Sequence, residues 1–214
     1  MDDEVMMYVF GIKLTPAWWK LASISRRSRL LTLQNKIKQI EKADGTILRT
    51  YSSLRYDVDL ILWLSSKKEE TILKFKLFVE ELFGDCASVE YGFMSICKKG
   101  PSESVKYKFF VAYPMKKSND WYLLPREKRN KIMSEHIAMA RLSTNNNGII
   151  SYTTKSFGIS DDEFLVLYEV ESISHWMHVV EELRQSESRK WITNEKPVLV
   201  GIEDESFLYL KRIG

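Results

Sequence analysis

The same order of predicted secondary-structure elements occurs twice along the chain, and this repetition constrains the fold more than any single motif. Alternating apolar residues predict strands, and apolar residues spaced three or four apart predict helices. Each half then has the order strand, helix, strand, strand, helix, strand, with a period of about 100 residues. That order is typical of a ferredoxin-like βαββαβ unit, whose helices cover one face of an antiparallel sheet. The pattern therefore predicts an α+β fold built from two such units.

A segment rich in Gly, Pro and Ser, KKGPSES at residues 98–104, lies between the two halves. Because such segments often mark domain boundaries, we expect an N-terminal structural unit over residues 1–100 and a C-terminal, ligand-binding unit over residues 101–214. Each unit leaves one sheet face uncovered. Packing these two faces together would give a duplicated, dimeric-type α+β barrel with its helices outside.

The composition excludes several classes of protein. With 214 residues, 44% of them hydrophobic and 29% charged, the chain is expected to fold rather than to be disordered. The net charge of +3 is small and the basic run at Arg26, Arg27 and Arg29 is short, so no nucleic-acid partner is expected. The longest apolar run, Leu60 to Leu64, is far shorter than the ~20 residues of a membrane-spanning helix.

Two cysteines, Cys86 and Cys97, flank one predicted strand. In an extended chain their Cα atoms would lie roughly 30 Å apart, which is too far for a disulfide. The acidic start of the sequence, MDDEVMMYVFGIKL, continues into a strand pattern and does not resemble a signal peptide. Free thiols and this N-terminus predict a reducing, cytoplasmic location.

One histidine lies on the apolar side of a predicted helix. Ile132, His136 and Ala140 are spaced i, i+4, i+8, so the imidazole is expected to face the interior. Such a histidine is either hydrogen-bonded within the core or a ligand to a bound group. His175 and His178 are also close in sequence, but no third residue at a matching spacing supports a zinc site, and we interpret them as one exposed and one packed side chain.

Several motifs around His136 occur in a fixed order. The motif YPMxK (113–117) begins at the end of a predicted strand, KYKFFVAYPM (106–115), and continues into a predicted loop that contains Lys117, Trp121 and Tyr122. WYLLPxExR (121–129) starts in this loop, and a helical EH pair (135–136) follows. YTTKSFGISDDEFLVLYEVES (152–172) and ELRQSES (182–188) extend the pattern over most of the C-terminal half. Together these motifs resemble the chlorite dismutase family, and most closely its branch with the coproheme decarboxylases. The N-terminal half matches the family in pattern only.

The resemblance implies a haem cofactor and a reaction. His136 would be the proximal ligand of the iron, and Glu187 is the candidate acceptor for its other N–H, with an exposed surface glutamate as the alternative. Tyr113 and Lys117 would serve catalysis. In that branch hydrogen peroxide oxidises the iron, the tyrosine becomes a radical that removes hydrogen from a propionate β-carbon, and carbon dioxide leaves, so that coproheme is converted to haem b. The resemblance also implies a homo-oligomer, often a ring of five subunits.

Further residues are assigned to the cofactor pocket by the same resemblance. Arg184 matches the arginine that pairs with a porphyrin propionate, and Arg189 is a second candidate for that role. Trp121 and Tyr122 are expected either to stack near the macrocycle as pocket wall or to pack at the rim of the barrel.

One pocket position departs from the family pattern. Where chlorite-degrading members have an arginine and many decarboxylases a glutamine, this chain has Ser151, in IISYTT. Serine offers one short neutral donor instead of a charged fork, so chlorite dismutation is disfavoured. The open alternatives are a haem-dependent peroxidase-like enzyme with another substrate, a non-catalytic haem carrier or sensor, and a barrel domain without cofactor.

Overall fold

The computed structural model describes residues 4–42, 45–102 and 106–212, so part of the predicted linker 98–104 lies outside the described residues. The chain divides into two compact units. Unit 1 comprises Met1–Lys106 together with Leu199–Gly214, and unit 2 comprises Tyr107–Val198.

The first part of unit 1 is an antiparallel sheet with its helices packed on one face. Its elements are β1 (Val5–Leu14), α1 (Pro16–Lys20), α2 (Ser23–Ile40), β2 (Ile47–Ser53), β3 (Leu60–Ser66), α3 (Glu69–Phe83), a 3-10 helix (Gly84–Cys86) and β4 (Ala87–Cys97). The strand order is β4-β1-β3-β2. Alternate residues of β1 and β3 face the helices because side chains alternate across a strand, and they form the core with Leu30, Leu33 and Phe75.

Unit 2 has the same sequence of principal elements. They are β5 (Phe109–Lys117), α4 (Asn119–Leu123), α5 (Arg126–Leu142), β6 (Ile149–Lys155), β7 (Phe164–Val170), α6 (Ile173–Leu183), a 3-10 helix (Glu187–Trp191) and β8 (Ile192–Asn194). The strands are antiparallel in the order β8-β5-β7-β6. In both units the fourth strand therefore lies beside the first, and the third lies between the first and the second.

The C-terminal segment belongs to unit 1. Its elements are β9 (Leu199–Glu203) and α7 (Leu208–Arg212). β9 pairs antiparallel with β2, and Phe207 and Leu210 enter the unit 1 core. The structure thus differs from the predicted domain 101–214, in which this strand closed the second unit. The short β8 takes that place instead, because the order of strands along the chain does not determine which strand each will pair with.

The α+β class and the antiparallel sheet are confirmed by these elements. None of the helices in the described residues combines the length and the apolar character needed to cross a bilayer.

Asp204 fastens the C-terminal segment to unit 1. Its buried carboxylate accepts hydrogen bonds from Ser52 Oγ at 2.7 Å, from the backbone N–H of Leu208 at 2.7 Å and from that of Tyr209 at 3.2 Å. One side chain thus caps the start of α7 and satisfies a buried hydroxyl of β2.

We expect Asp204→Ala to lower the free energy of unfolding by about 2–4 kcal/mol, because it removes a helix cap and leaves the Ser52 hydroxyl buried without this acceptor. Urea unfolding followed by circular dichroism measures the change. The matched control is Asp161→Ala at an exposed position, for which a change below about 0.5 kcal/mol is expected. Equal stability of the two variants would contradict the proposed fastening role.

Candidate functional site

Unit 2 contains a cavity of about 1040 Å³ between its sheet and its two longer helices. Alternate residues of the strands face it, since period-two alternation puts every second side chain on one face. From β5 these are Tyr113, Met115 and Lys117, and from β6 and β7 they include Ser151 and Tyr168. The opposite wall is formed by α5 and α6, with His136, Ile137, Trp176, Val179 and Leu183.

The cavity exists because α5 is not packed tightly along its inner face. α5 has 17 residues, and Ile132 is its one fully buried side chain. By contrast, α2 of unit 1 is of similar length and buries four side chains. A helix face that no side chain fills leaves room for a ligand.

His136 is held in this wall by two serine hydroxyls. Its Nδ1 lies 3.2 Å from Ser186 Oγ and 3.1 Å from Ser188 Oγ, and the two hydroxyls are 3.0 Å apart. Both serines are buried. Within the described part of the chain, no hydrogen bond engages Nε2 of His136.

Glu187 was predicted to be either the partner of His136 or an exposed surface residue, and the structure shows the second. Glu187 is exposed, because the chain turns into a 3-10 helix at this residue and directs its two neighbours inward instead. The SxS pair on either side of the glutamate in ELRQSES is the feature of the sequence that could have indicated the two hydroxyls.

The surroundings of His136 favour the uncharged form of its imidazole. Burial lowers the pKa of His136 below its ordinary value, and the positive charges of Lys117 and Arg189 lower it further. A neutral ring is the form that binds a metal ion.

Tyr113 is a half-buried phenol beside a second one, Tyr168. Burial raises the pKa of Tyr113 far above its ordinary value, and its hydrogen-bond interaction with Tyr168 raises it further. The two rings are stacked, with centroids 6.2 Å apart. Tyr168 also lies across the strand pair from Ser151 and interacts with its hydroxyl. Ser151 therefore lines the cavity as expected, within a group of three hydroxyls.

Lys117 is buried without an ion pair. Its side chain is 5% exposed, and no carboxylate in the described residues lies within ion-pair distance of Nζ. Nζ lies 3.8 Å from the ring centroid of Trp121, a cation–π contact. Burial lowers the pKa of Lys117 to about 8, an effect that the charge of Glu163 partly opposes.

Trp121 and Tyr122 do not line the cavity. They were predicted to lie in a loop, but they form the short helix α4, which places Trp121 beneath Lys117 and against Trp191, with ring centroids 6.0 Å apart. The Tyr122 hydroxyl donates to Glu163 at 2.5 Å, and the same carboxylate accepts the backbone N–H of Lys117 at 2.9 Å. Trp121 thus contacts the Lys117 side chain directly, and Tyr122 helps to position Lys117 through Glu163.

The cavity carries an excess of positive charge. Its lining includes five basic residues, Lys117, Arg141, Arg184, Arg189 and Lys196, and one acidic residue, Glu195. Glu195 was missed in the sequence analysis because no motif singles it out. This charge favours a ligand with several anionic groups.

His175 and His178 lie outside the cavity lining and are both exposed, so the prediction that one of them is packed was wrong. His178 Nδ1 lies 3.7 Å from Glu181. In the described ranges, no three residues among His, Cys, Asp and Glu form a cluster able to hold a metal ion.

We expect Lys117→Met to raise the free energy of unfolding at pH 7 by about 1–2 kcal/mol. The shift of the Lys117 pKa from 10.5 to about 8 corresponds to a burial cost of about 3 kcal/mol, and loss of the cation–π contact offsets about 1–2 kcal/mol of the gain. Urea unfolding at a series of pH values measures the difference.

The sign of the pH dependence follows from the lowered pKa. Below about pH 8 the lysine is charged in both the folded and the unfolded state, so the cost is complete; it is relieved as pH rises from about 8 to 10.5, where the folded state releases its proton first. The gain of Lys117→Met should therefore shrink over that range. Lys116→Met, at an exposed position on the opposite face of β5, is the control, and a Lys117→Met variant less stable than wild type at pH 7 would contradict the account.

Comparison with known proteins shows which family this chain is similar to. The family model described as chlorite dismutase matches residues 26–203. A curated relative, the coproheme decarboxylase of Mycolicibacterium smegmatis, is 28% identical over 93 residues, and the match spans 44% of this chain but only 39% of the relative.

Solved structures agree with the family match. A candidate chlorite dismutase superposes with a TM-score of 0.87 at 35% identity, covering 95% of this chain and 96% of that one. A variant of the chlorite dismutase from Candidatus Nitrospira defluvii has a TM-score of 0.86 at 18% identity, with 99% and 96% covered. A haem-binding protein from Thermus thermophilus has 0.82 at 21%, with 98% and 95% covered. These last two show the fold alone. Since the family model spans most of its length, the chain belongs to the chlorite dismutase family.

Proposed function

We propose that unit 2 binds an iron porphyrin and that the protein is a haem-dependent oxidoreductase, which uses hydrogen peroxide to decarboxylate coproheme propionates to give haem b. One observation carries the proposal: an imidazole, held at Nδ1 by two buried hydroxyls, lines a large cavity whose described lining has five basic residues and one acidic residue. The name of the curated relative, coproheme decarboxylase, supports the choice of reaction.

The residues present fit such a group. Nδ1–H of His136 can donate to a serine hydroxyl, and the lone pair of Nε2 is then free for iron. The apolar side chains of Ile137, Val179 and Leu183 offer a surface for a macrocycle. Arg184 and Arg189 have the planar donor geometry that binds carboxylates.

The porphyrin iron, when bound, supplies oxidising power drawn from peroxide. Tyr113 is a neutral phenol, because its pKa is raised by burial, and it is therefore suited to give and take a hydrogen atom rather than to act as a phenolate base. In the proposed reaction the Tyr113 radical would take a hydrogen atom from a propionate β-carbon and become a phenol again. The bond to the carboxylate would then break to give carbon dioxide and a vinyl group, and the remaining electron would pass to the peroxide-derived oxidising power of the bound group.

Lys117 is proposed to guide the reacting propionate by its charge. It lines the cavity two residues beyond Tyr113 on the same face of β5, and its burial without an ion pair leaves the charge available to a ligand carboxylate. Its pKa of about 8 also allows it to release a proton near neutral pH.

Chlorite dismutation is disfavoured in this proposal because of Ser151. The hydroxyl is neutral and interacts with Tyr168, so it does not supply the charged donor that the family resemblance associates with chlorite.

The shared strand order supports a further proposal, that both units are ferredoxin-like and arose by duplication. The homo-oligomer of five subunits and the cytoplasmic location stay predictions.

We expect His136→Ala to lose the Soret band that develops when wild-type protein is titrated with iron coproporphyrin, with affinity reduced by more than about tenfold. His175→Ala, which removes an exposed histidine, is the control and should bind like wild type. An unchanged Soret band in His136→Ala would remove this residue as the ligand.

We expect Tyr113→Phe to bind iron coproporphyrin normally but to stop its decarboxylation on addition of peroxide, because phenylalanine has no phenolic hydrogen to transfer. Mass spectrometry of the extracted porphyrin follows the stepwise loss of carboxyl groups, and Tyr56→Phe, at an exposed position, is the control. Full turnover in Tyr113→Phe would contradict its role, and unchanged porphyrin that binds well to the wild type would favour a haem carrier.

A further inference from the structure

Glu195 is the one acidic residue among the described residues that line the basic cavity. It follows β8 on a segment without regular secondary structure. Its carboxylate bridges two arginines: Oε2 lies 3.3 Å from Arg184 Nη1, and Oε1 lies 2.5 Å from Arg189 Nη1. Glu195, whose charge is opposite to that of the cavity, therefore contacts Arg184 and Arg189. These are the two guanidinium groups whose shape best suits a ligand carboxylate.

Both ion pairs are partly open to solvent. The exposed fractions of the side chains are 52% for Arg184, 26% for Arg189 and 21% for Glu195. Ion pairs that solvent reaches contribute little to stability, so another carboxylate can replace Glu195 at modest cost. A ligand carboxylate that approached the same donors with Glu195 in place would meet a like charge.

We propose that Glu195 is an internal carboxylate that occupies the arginine pair until a carboxylate of the bound porphyrin displaces it, which makes Glu195 a specificity-determining residue. The inference rests on the proposed function, since it assumes a porphyrin in this cavity. A ligand without carboxylates cannot displace Glu195 and gains nothing from the two arginines. A ligand with several carboxylates forms its own ion pairs with Arg184 and Arg189 in place of those made by Glu195. Its affinity is lowered by the free energy needed to break the Glu195 ion pairs.

The test is equilibrium binding, measured by Soret titration of the full-length protein with two probes. Iron coproporphyrin carries free carboxylates, and its tetramethyl ester carries none. Glu195→Gln keeps a neutral acceptor of the same size, and Glu195→Ala is the second variant in case the first alters folding. Glu181→Gln, at an exposed position on α6 outside the cavity lining, is the matched control.

We expect Glu195→Gln and Glu195→Ala to bind iron coproporphyrin about threefold to tenfold more tightly than wild type, because no internal carboxylate has to be displaced. Binding of the tetramethyl ester should be the same in all four proteins. Unchanged or weaker binding of iron coproporphyrin by both Glu195 variants, with a normal Soret band, would overturn the role of Glu195 alone and would indicate that it positions the arginines. Absence of a Soret band in every protein would instead overturn the proposed function.

Discussion

Two buried serine hydroxyls hold one nitrogen of the His136 ring, and the chemistry proposed for the cavity depends on that contact. The hydroxyls of Ser186 and Ser188 lie 3.2 Å and 3.1 Å from Nδ1, so the ring is fixed from the protein side. A ligating histidine normally has its second nitrogen held in this manner, because the contact sets the tautomer and the orientation of the ring. Burial and nearby positive charge lower the pKa of His136 and so favour its neutral form, and the loosely packed inner face of α5 leaves space beside it.

The charge distribution of the cavity gives the second constraint. Lys117 is buried over an indole and lacks a carboxylate partner in the described residues, an arrangement that stability alone does not favour. Functional sites commonly contain a destabilising buried charge of this kind where a ligand supplies the opposite charge. A porphyrin with several propionates has the opposite charge to Lys117, Arg184 and Arg189. Glu195, the one acidic residue in the described cavity lining, pairs with the two arginines.

The sequence predicted the parts of the site that depend on local periodicity. The i, i+4 spacing around His136 placed it on the inner side of α5. Lys117 was predicted to lie in the loop after this strand; β5 instead continues to Lys117, and two-residue alternation puts that side chain on the same face as Tyr113. Contacts set by the geometry of short helices were not predicted. The helix α4 places Trp121 against Lys117 on the side away from the cavity. The 3-10 helix directs Ser186 and Ser188, rather than Glu187, towards His136. The pairing of β9 with β2 also escaped prediction, because it joins strands far apart in the chain, and no local pattern records which partner a strand will choose.

Resonance Raman spectroscopy of the ferrous porphyrin complex, prepared with natural and with ¹⁵N-labelled histidine, tests the central claim most directly. If His136 binds iron through Nε2 while the serines hold Nδ1, the spectrum should contain an iron–histidine stretching band that shifts with the label, and replacing Ser186 and Ser188 with alanine should move its frequency. A spectrum without an isotope-sensitive iron–nitrogen band, or a band that persists unchanged in His136→Ala, would contradict the account.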